Sequence, residues 1–259
     1  MTITSAKNPL LQDVRHAAAA GRRTDDEGLI VIEGPHLIEE ALRGCWSLER
    51  ILVTPEARGR YSDLLRETGA EIVEVSARAF ASMTATENSQ QVVALVRARQ
   101  WDWTDLLPAE ALVVVLDTIQ DPGNAGTVMR SAEAFGATGV VFLKGSVHVA
   151  NGKLLRATAG SIFRLPFLEG ITAAECLAAL ASNGVALYGL RAPGVLKLAE
   201  ADLRSACAIA VGSEGSGLSS EISSGARSLE IPATNVESLN AAVACSIALY
   251  AAQQQRRLV

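Results

Sequence analysis

The feature that most restricts the fold of this chain is an apolar run that ends directly in a polar turn and a helix. Residues 112–116 are all Leu or Val, the following turn contains Asp-Pro-Gly-Asn at 121–124, and helical spacing continues to Phe135. A short apolar run bounded by turn residues is typical of a buried strand, and Gly136 stands where a helix-ending glycine is expected. The turn therefore belongs to the carboxyl edge of a sheet, where open α/β sheets bind ligands.

Two later segments show the same change from apolar to polar sequence. Residues 210–217 read Ala-Val-Gly-Ser-Glu-Gly-Ser-Gly, and residues 231–244 begin Ile-Pro and contain Ser-Leu-Asn at 238–240. Together with residues 117–136, they hold more Gly, Asn, Glu and Ser than a plain core needs. One such segment would be weak support, but three in order predict a single composite site at one sheet edge.

Strand and helix patterns alternate along the whole chain, and this alternation predicts an α/β fold. Apolar residues make up 49% of the chain and aromatic residues only 4%, so the core should be mostly aliphatic. The predicted elements include a helix at 55–67, a strand at 161–165 and a last helix from 236 to about 254.

The alternation is interrupted once, where Trp101, Trp103 and Pro108 stand among charged residues. Such a break is typical of a boundary between domains. We therefore expect a small α/β/α domain at 1–98, a linker at 99–109 and a second α/β domain at 110–259.

Composition and charge argue against several classes of protein. A formal charge of −5 and a pI near 5.3 disfavour a uniformly basic nucleic-acid coat but allow a local basic face. The four cysteines form no CxxC pair and no metal-ligand spacing, so we expect buried thiols in a reducing cytosol and no metal. No apolar leader is evident, and the longest near-apolar stretch, 241–252, is shorter than the roughly 20 residues of a membrane span. These features predict a soluble cytoplasmic protein without a membrane partner.

Generic nucleotide and hydrolase motifs do not fit the glycine-rich segments. The glycines of 212–217 are not spaced as G-x-G-x-x-G, and no Lys-Ser/Thr follows them as in a phosphate loop. The pair Gly123 and Gly126 opens a helix, but no acidic partner stands at the expected distance. The three histidines are scattered, so neither a dehydrogenase, an NTPase nor a Ser/His/Asp hydrolase is favoured.

The three polar segments resemble, in order, the motifs of the SpoU (TrmH-like) RNA 2′-O-ribose methyltransferases of the SPOUT superfamily. The matching residues are Asn124 and Arg130, then Val211-Gly-Ser-Glu-Gly-Ser-Gly-Leu218, then Ile231-Pro232 with Glu237-Ser-Leu-Asn240. Residues 156–161, Arg-Ala-Thr-Ala-Gly-Ser, are similar to the family's R-A-S-A-G-A stretch. The first half is similar, more loosely, to the L30e-like substrate-binding domain of many members.

The resemblance implies a trefoil-knotted catalytic domain preceded by an L30e-like α/β/α domain that binds RNA. It implies S-adenosylmethionine as cofactor and a ribose 2′-OH of structured RNA, ribosomal rather than transfer RNA, as methyl acceptor. It also implies a homodimer whose site is completed near the subunit interface. A non-catalytic RNA-binding or ribosome-assembly protein, a tRNA-directed enzyme and a base methyltransferase stay open as alternatives.

The resemblance also assigns roles to individual residues. The catalytic residues that it implies are Asn124, Arg130, Glu214, Ser238 and Asn240, and the cofactor-binding residues are Gly212, Ser213, Gly217, Ile231, Pro232 and Leu239. Structural alternatives stay open for several of them. Arg130 could pair with Glu133 at i,i+3, Glu214 could cap a helix, and Ser238 with Asn240 could cap the last helix.

The third segment departs from the family pattern. Ile231-Pro-Ala-Thr-Asn235 stands where many members have Ile-Pro-Met-x-Gly, and the loop up to Ser238 is one residue shorter. Asn235 can adopt the left-handed backbone conformation that a glycine would supply. We therefore expect the cofactor loop to be the part of the site that differs from other members.

Basic residues form two groups despite the negative net charge. The groups are Lys7, Arg15, Arg22 and Arg23 near the start, and Lys153, Arg156 and Arg164 in the middle of the chain. If the two groups converge across a cleft, they can follow an RNA phosphate backbone. Taken singly, each residue is ordinary surface charge.

Overall fold

A computed structural model of the chain describes residues 2–84, 89–236 and 238–257. These residues form two compact units, whose ranges differ from the predicted domains in two places. The first unit consists of Met1–Gln100 together with His148–Arg164. The second unit consists of Trp101–Val147 together with Leu165–Val259. The assignment of RNA binding to the first domain and of catalysis to the second stays a prediction.

The first unit is built on a four-stranded sheet in the order β1-β4-β2-β3. Its strands are β1 (Ile30–Glu33), β2 (Ser47–Val53), β3 (Glu71–Glu74) and β4 (Val92–Arg97). Strand β4 runs antiparallel to both β1 and β2, whereas β2 and β3 are parallel. The sheet is therefore mixed.

Helices cover this sheet, and the sequence explains where they begin and end. Five of them come from the first hundred residues: α1 (Pro9–Ala20), α2 (Pro35–Arg43), α3 (Pro55–Arg60), α4 (Ser62–Glu67) and α5 (Ala77–Ala81). A further helix, α8 (Gly152–Ala157), is numbered by its later place in the chain. Helix α1 begins where the side chain of Asn8 accepts a hydrogen bond from the N–H of Leu10. It ends at Gly21, whose φ of 61° glycine adopts without strain. Leu11 and Val14 of α1 are buried in one core with Phe80.

Two predicted elements of this unit are wrong. The helix predicted at 55–67 is interrupted at Tyr61, whose φ of −107° and ψ of 25° are not helical, so α3 and α4 are separate. The strand predicted at 161–165 is instead a short 3-10 helix at Ser161–Phe163. It follows Ala159 and Gly160, which both have positive φ, and this left-handed pair turns the chain too sharply for a strand.

The second unit is built on a seven-stranded sheet in the order β7-β6-β5-β10-β8-β11-β9, with every neighbouring pair parallel. Its strands are β5 (Leu112–Asp117), β6 (Gly139–Leu143), β7 (Phe167–Ile171), β8 (Ala186–Leu190), β9 (Leu196–Lys197), β10 (Cys207–Gly212) and β11 (Arg227–Glu230). Every residue of the neighbouring strands β5 and β10 is buried. Because the strands are parallel, the polar segments after β5 and β10 leave the sheet at the same edge. The predicted α/β fold class is confirmed.

The helices of the second unit are α6 (Trp103–Leu106), α7 (Pro122–Ala134), α9 (Ala173–Ser182), α10 (Ser220–Gly225) and α11 (Ala241–Arg257). The last helix begins at Ala241 rather than at 236, so that prediction of its start is wrong. Glu237, within the predicted third motif, lies outside the described residues. Strands β9 and β11 escaped prediction because they are short and mix apolar with polar residues. The trefoil knot stays a prediction of the resemblance.

Candidate active site

The first polar segment is fixed by the start of α7. Asp121 accepts a hydrogen bond from the N–H of Asn124 at 2.7 Å and caps the helix, and Pro122 occupies its first turn. Asn124 therefore stands in the first turn of α7, just beyond the carboxyl end of β5. Its side chain is only partly buried, so it can reach neighbouring loops.

The second polar segment forms a tight turn after β10. The N–H of Gly217 donates to the carbonyl of Ser213 at 2.8 Å, which closes the turn around Glu214. A Cβ at Gly212 would lie 2.1 Å from the carbonyl carbon of Gly217, so no side chain fits there. The glycines thus make the turn possible, and the turn leaves Glu214 exposed.

Side chains from all three segments meet in one hydrogen-bonded cluster. The amide of Asn240 donates to Glu214 Oε1 at 2.5 Å and to Asn124 Oδ1 at 3.0 Å. The amide of Asn124 donates to the same Glu214 oxygen at 3.1 Å. The structure thus brings Asn124, Glu214 and Asn240 into mutual contact, although 116 positions separate the two asparagines. We call these three residues the Asn–Glu–Asn cluster.

Asn240 also has the capping role that the sequence left open. Its Oδ1 accepts hydrogen bonds from the N–H groups of Ala242 at 3.0 Å and Val243 at 3.2 Å. One end of the amide therefore starts α11 while the other binds the cluster, and the helix fixes the orientation of the side chain. Ser238, by contrast, makes no hydrogen bond within the described parts of the chain.

A cavity of about 1030 Å³ opens beside the cluster. Eight of the residues named from the sequence form part of its wall: Gly212, Ser213, Glu214, Gly217, Ile231, Ser238, Leu239 and Asn240. Pro232, Asn124 and Arg130 are not among the described residues that line it. The wall combines apolar side chains with amide, hydroxyl and backbone groups, which is the composition of a pocket for a small organic molecule.

The sequence patterns missed part of this wall. Leu190 ends β8 and residues 191–193 follow it, while Leu229 and Glu230 end β11. Both groups stand at carboxyl ends of parallel strands, so recognition of β11 would have placed them at the site. Hydrogen bonds from Lys197 at 2.6 Å and from the N–H of Gly194 at 2.8 Å hold the pKa of Glu230 below its ordinary value.

Asp117, the last residue of β5, is a buried acid to which the sequence patterns assign no role. It is only 2% exposed, and its Oδ2 accepts a hydrogen bond from the N–H of Ser219 at 2.6 Å. Thr118 beside it has a φ of 57°, which is unusual for a β-branched residue. The hydrogen bond ties the end of β5 to the chain just beyond Gly217, so Asp117 positions the second segment against the first.

Arg130 lies on α7, outside the cavity wall. Its side chain is exposed, and it makes no hydrogen bond or ion pair with any residue in 2–84, 89–236 or 238–257. The alternative pairing with Glu133 is therefore not formed. A guanidinium in this state can bind an anion without first breaking a contact within the described chain.

Other reactive groups contribute little to the site. Burial raises the pKa of Cys245 to about 12, and burial, followed by the charge of Asp117, raises that of Cys176 to about 12. These thiols stay protonated near neutral pH and are poor nucleophiles. Among the described residues, no group of three or more His, Cys, Asp or Glu is placed to hold a metal ion. None of the described helices combines the length and the apolar character needed to cross a bilayer.

Known proteins match the chain in both sequence and structure. The family model of the SpoU rRNA Methylase family matches residues 111–250, and that of the MRM3-like substrate binding domain matches residues 8–94. The chain is 34% identical over 250 residues to the 23S rRNA (guanosine(2553)-2′-O)-methyltransferase RlmP of Bacillus subtilis, which covers 96% of this chain and 97% of that enzyme. It is 33% identical over 201 residues to the 23S rRNA (guanosine-2′-O-)-methyltransferase RlmB of Xanthomonas campestris pv. campestris, covering 74% of this chain and 80% of RlmB.

A solved structure agrees with these sequence matches. The crystal structure of the AdoMet-bound rRNA methyltransferase from Sinorhizobium meliloti superposes with a TM-score of 0.82 at 25% identity, covering 98% of this chain and 97% of that one. The family model alone spans more than half of the chain. The predicted family is therefore confirmed: the chain belongs to the SpoU rRNA methylase family.

Proposed function

We propose that the chain transfers a methyl group from S-adenosylmethionine to a ribose 2′-OH of structured ribosomal RNA in the cytoplasm. The observation that carries this proposal is the Asn–Glu–Asn cluster, in which three distant segments supply polar side chains beside one cavity. The relatives RlmP and RlmB are both 23S rRNA 2′-O-methyltransferases, which supports the choice of ribosomal RNA.

The cavity suits S-adenosylmethionine in size and in lining. Ile231 and Leu239 offer apolar surface to an adenine ring, and Gly212 and Gly217 leave the backbone accessible to a ligand. The carboxylate of Glu214 belongs to the same wall and complements the positive charge of a sulfonium. When bound, the cofactor supplies an electrophilic methyl group.

In this proposal the chain's own residues orient the hydroxyl, and its proton leaves to bulk solvent as the methyl group is transferred. Glu214 and the amides of Asn124 and Asn240 hold the 2′-OH by hydrogen bonds, and Ser238 adds a further hydroxyl beside them. The side chain of Arg130 ends in a guanidinium, a planar cation with several N–H donors. Its guanidinium can therefore bind a neighbouring phosphate and stabilise the negative charge that develops on the 2′ oxygen.

The two units divide the work in this proposal. The first unit binds RNA, which the match of residues 8–94 with a substrate binding domain supports. The second unit carries out methyl transfer, and its C-terminal segment is knotted as the resemblance implies. A split of this kind lets one family fold act on different RNA targets.

The homodimer forms through α11. Val243, Ile247 and Tyr250 are 47%, 37% and 52% exposed, and their spacing places them on one face of the helix. An exposed apolar stripe of this kind is typical of a surface that packs against another helix. Tyr250 also packs on Phe135 of α7, with 5.7 Å between ring centroids, so a second subunit on this face would approach the helix that carries Arg130.

Sedimentation equilibrium at micromolar concentration should give a dimer for the wild type and a monomer for Ile247→Glu; a wild-type monomer contradicts this part of the proposal.

A methyl-transfer assay tests the proposed reaction. Purified protein is incubated with tritiated S-adenosylmethionine and either protein-free bacterial 23S rRNA or bacterial tRNA, and the recovered RNA is digested to nucleosides. Label in a 2′-O-methyl nucleoside of 23S rRNA is expected. Retention of RNA without label would favour a non-catalytic binder, label in a base a base methyltransferase, and label in tRNA alone a tRNA-directed enzyme. Each of these three outcomes contradicts the proposal.

A further inference from the structure

The first unit gathers two basic segments that are far apart in sequence. Residues 148–164 contain three Lys or Arg and no acidic residue, in a chain with 28 acidic and 23 basic residues. Residues 5–24 contain four more and a single acid, Asp13. Both segments belong to the first unit, so the two basic groups lie within one compact part of the molecule.

The two segments touch where α1 ends and α8 begins. A Cβ on Gly21 would lie 2.8 Å from Nδ2 and 3.4 Å from Cα of Asn151, so the two backbones are in close contact. Asn151 in turn accepts a hydrogen bond from the N–H of Lys153 at 2.9 Å and caps α8. Arg22 follows Gly21 directly, so the two basic groups adjoin at this contact.

The far end of residues 148–164 is held by a buried ion pair. The side chain of Glu40 on α2 is 7% exposed and pairs with Arg43 at 2.6 Å and with Arg164. A Cβ on Gly160 would lie within 2.2 Å of the Glu40 carboxylate, so the turn before Arg164 is packed directly against it. We call Glu40, Arg43 and Arg164 the Glu40 cluster. Both ends of the segment are therefore anchored, and α8 lies between the two contacts.

Several cations on this surface are available to a ligand. Lys153, Arg156 and Arg15 are exposed, and none of their side chains makes a hydrogen bond or ion pair within the residues that the structure describes. Among the described residues, the side chain of Arg22 makes one ion pair, to Asp25 at 3.5 Å, and both side chains are more than half exposed. A pair of that kind contributes little and is easily exchanged for another anion.

We propose that these four residues, Arg15, Arg22, Lys153 and Arg156, bind the phosphate backbone of the RNA substrate; we call them the α1–α8 face. The inference rests on the proposed function, because that function makes RNA the partner, and it adds where the RNA is held. Because the backbone that carries these cations is already anchored, phosphate binding has to order their side chains but not the chain itself. Each phosphate contact releases counterions, so binding weakens as salt rises.

Filter binding with protein-free bacterial 23S rRNA between 50 and 300 mM KCl tests this face. The variant is Lys153→Glu/Arg156→Glu, and the control is the same double charge reversal at Arg60 and Arg66, which are exposed on α3 and α4 of the same unit. We expect RNA binding by Lys153→Glu/Arg156→Glu, the α8 variant, to be at least tenfold weaker than that of the wild type. The slope of log binding constant against log salt concentration should fall in magnitude by about 1 to 2. The affinity of the control variant for the RNA should stay within about twofold of that of Arg60→Ala/Arg66→Ala.

Calorimetric titration with S-adenosylmethionine separates failure of this inference from failure of the proposed function. Unchanged cofactor binding by the α8 variant, together with weakened RNA binding, supports the inference. RNA binding by that variant equal to the wild type, or an equal loss in the control, overturns it and leaves the proposed function standing. A wild type that binds cofactor but neither retains nor methylates the RNA overturns both. If the charge reversal unfolds the protein, Lys153→Ala/Arg156→Ala gives the same comparison with a smaller expected loss.

Discussion

The two units each contain a cluster in which one glutamate joins distant segments, and the clusters differ in burial. In the Asn–Glu–Asn cluster, Glu214 is exposed and accepts hydrogen bonds from two neutral amides. In the Glu40 cluster, the carboxylate is 7% exposed and pairs with two arginines. Water competes for every partner of the exposed glutamate, whereas a buried carboxylate that loses its partner has no replacement. The exposed cluster is therefore suited to binding and chemistry, and the buried cluster to holding the chain in place.

The charge of Glu40 follows from the balance of two effects. Burial by itself raises the pKa of this carboxyl. The hydrogen bond and charge of Arg164, followed by those of Arg43, outweigh burial and lower the pKa below its ordinary value of 4.5. Glu40 is therefore ionised at neutral pH, and its ionised form stabilises the folded first unit.

The largest expected effect is on catalysis, from Arg130→Ala. We expect methyl transfer to fall by about 10²–10³-fold, because the variant loses the charge that stabilises the developing oxyanion. The side chain is exposed, so the free energy of unfolding should change by less than about 0.5 kcal/mol. Single-turnover transfer of tritiated methyl measures the first quantity and urea unfolding the second. Arg130→Lys keeps the charge and should retain more activity; undiminished turnover in Arg130→Ala would remove the residue from the mechanism.

The next effect is on stability, from Glu40→Gln. Removing one partner of a fully buried pair costs about 3–5 kcal/mol, and we expect about 2 kcal/mol here because Arg43 and Arg164 remain partly exposed. Urea unfolding at pH 7 measures this difference. Glu39→Gln, a neighbouring change on the same helix at a less buried position, is the matched control. Equal stability of the two variants would show that the buried cluster does not hold the segment.

The difference in the free energy of unfolding between the wild type and Glu40→Gln should depend on pH. Because the folded pKa of Glu40 is depressed, its contribution is present above the unfolded value near 4.5 and is lost as pH falls through the lower, folded pKa. The wild type and Glu40→Gln should therefore differ fully above about pH 5.5 and converge as the pH drops below 4.5. Unfolding midpoints between pH 3 and 7 test this; a difference that grows on acidification would contradict the assigned sign.

The smallest effect is expected at the exposed cluster itself. Glu214→Ala removes the acceptor shared by the two amides, and we expect kcat/KM to fall about tenfold, equivalent to about 1.4 kcal/mol. Stability should change by less than about 0.5 kcal/mol, because water replaces the lost contacts. Glu214→Gln retains an acceptor oxygen and should lose less activity. Destabilisation of Glu214→Ala as large as that of Glu40→Gln would erase the distinction between the clusters.

Local sequence patterns predicted the parts of the site that a strand end determines. The run before Asp117 and the glycines around Glu214 indicate where parallel strands end, and parallel strand ends share one edge. Asn235 was expected to replace a glycine, and its φ of 65° confirms that expectation. The predicted start of α11 at 236 was too early, because helical spacing does not show that a single capping side chain, Asn240, sets the first turn.

Other features depend on contacts that no local pattern contains. The left-handed turn at Ala159 and Gly160 is set by the packing of Glu40 against it, 120 positions away in sequence. For the same reason, residues 148–164 could not be assigned to the first unit from their position in the chain. The role of Asp117 required knowing that Ser219 lies beside it. Long-range packing, rather than propensity, decides such features.

A crystal structure with S-adenosylhomocysteine is the decisive test of whether the cavity beside the Asn–Glu–Asn cluster is the cofactor site. We expect the ligand inside the cavity, with its adenine against Ile231 and Leu239 and its sulfur on the side of Glu214 and Asn240. A ligand bound elsewhere on the chain, or in contact with only one of the three segments, would contradict it.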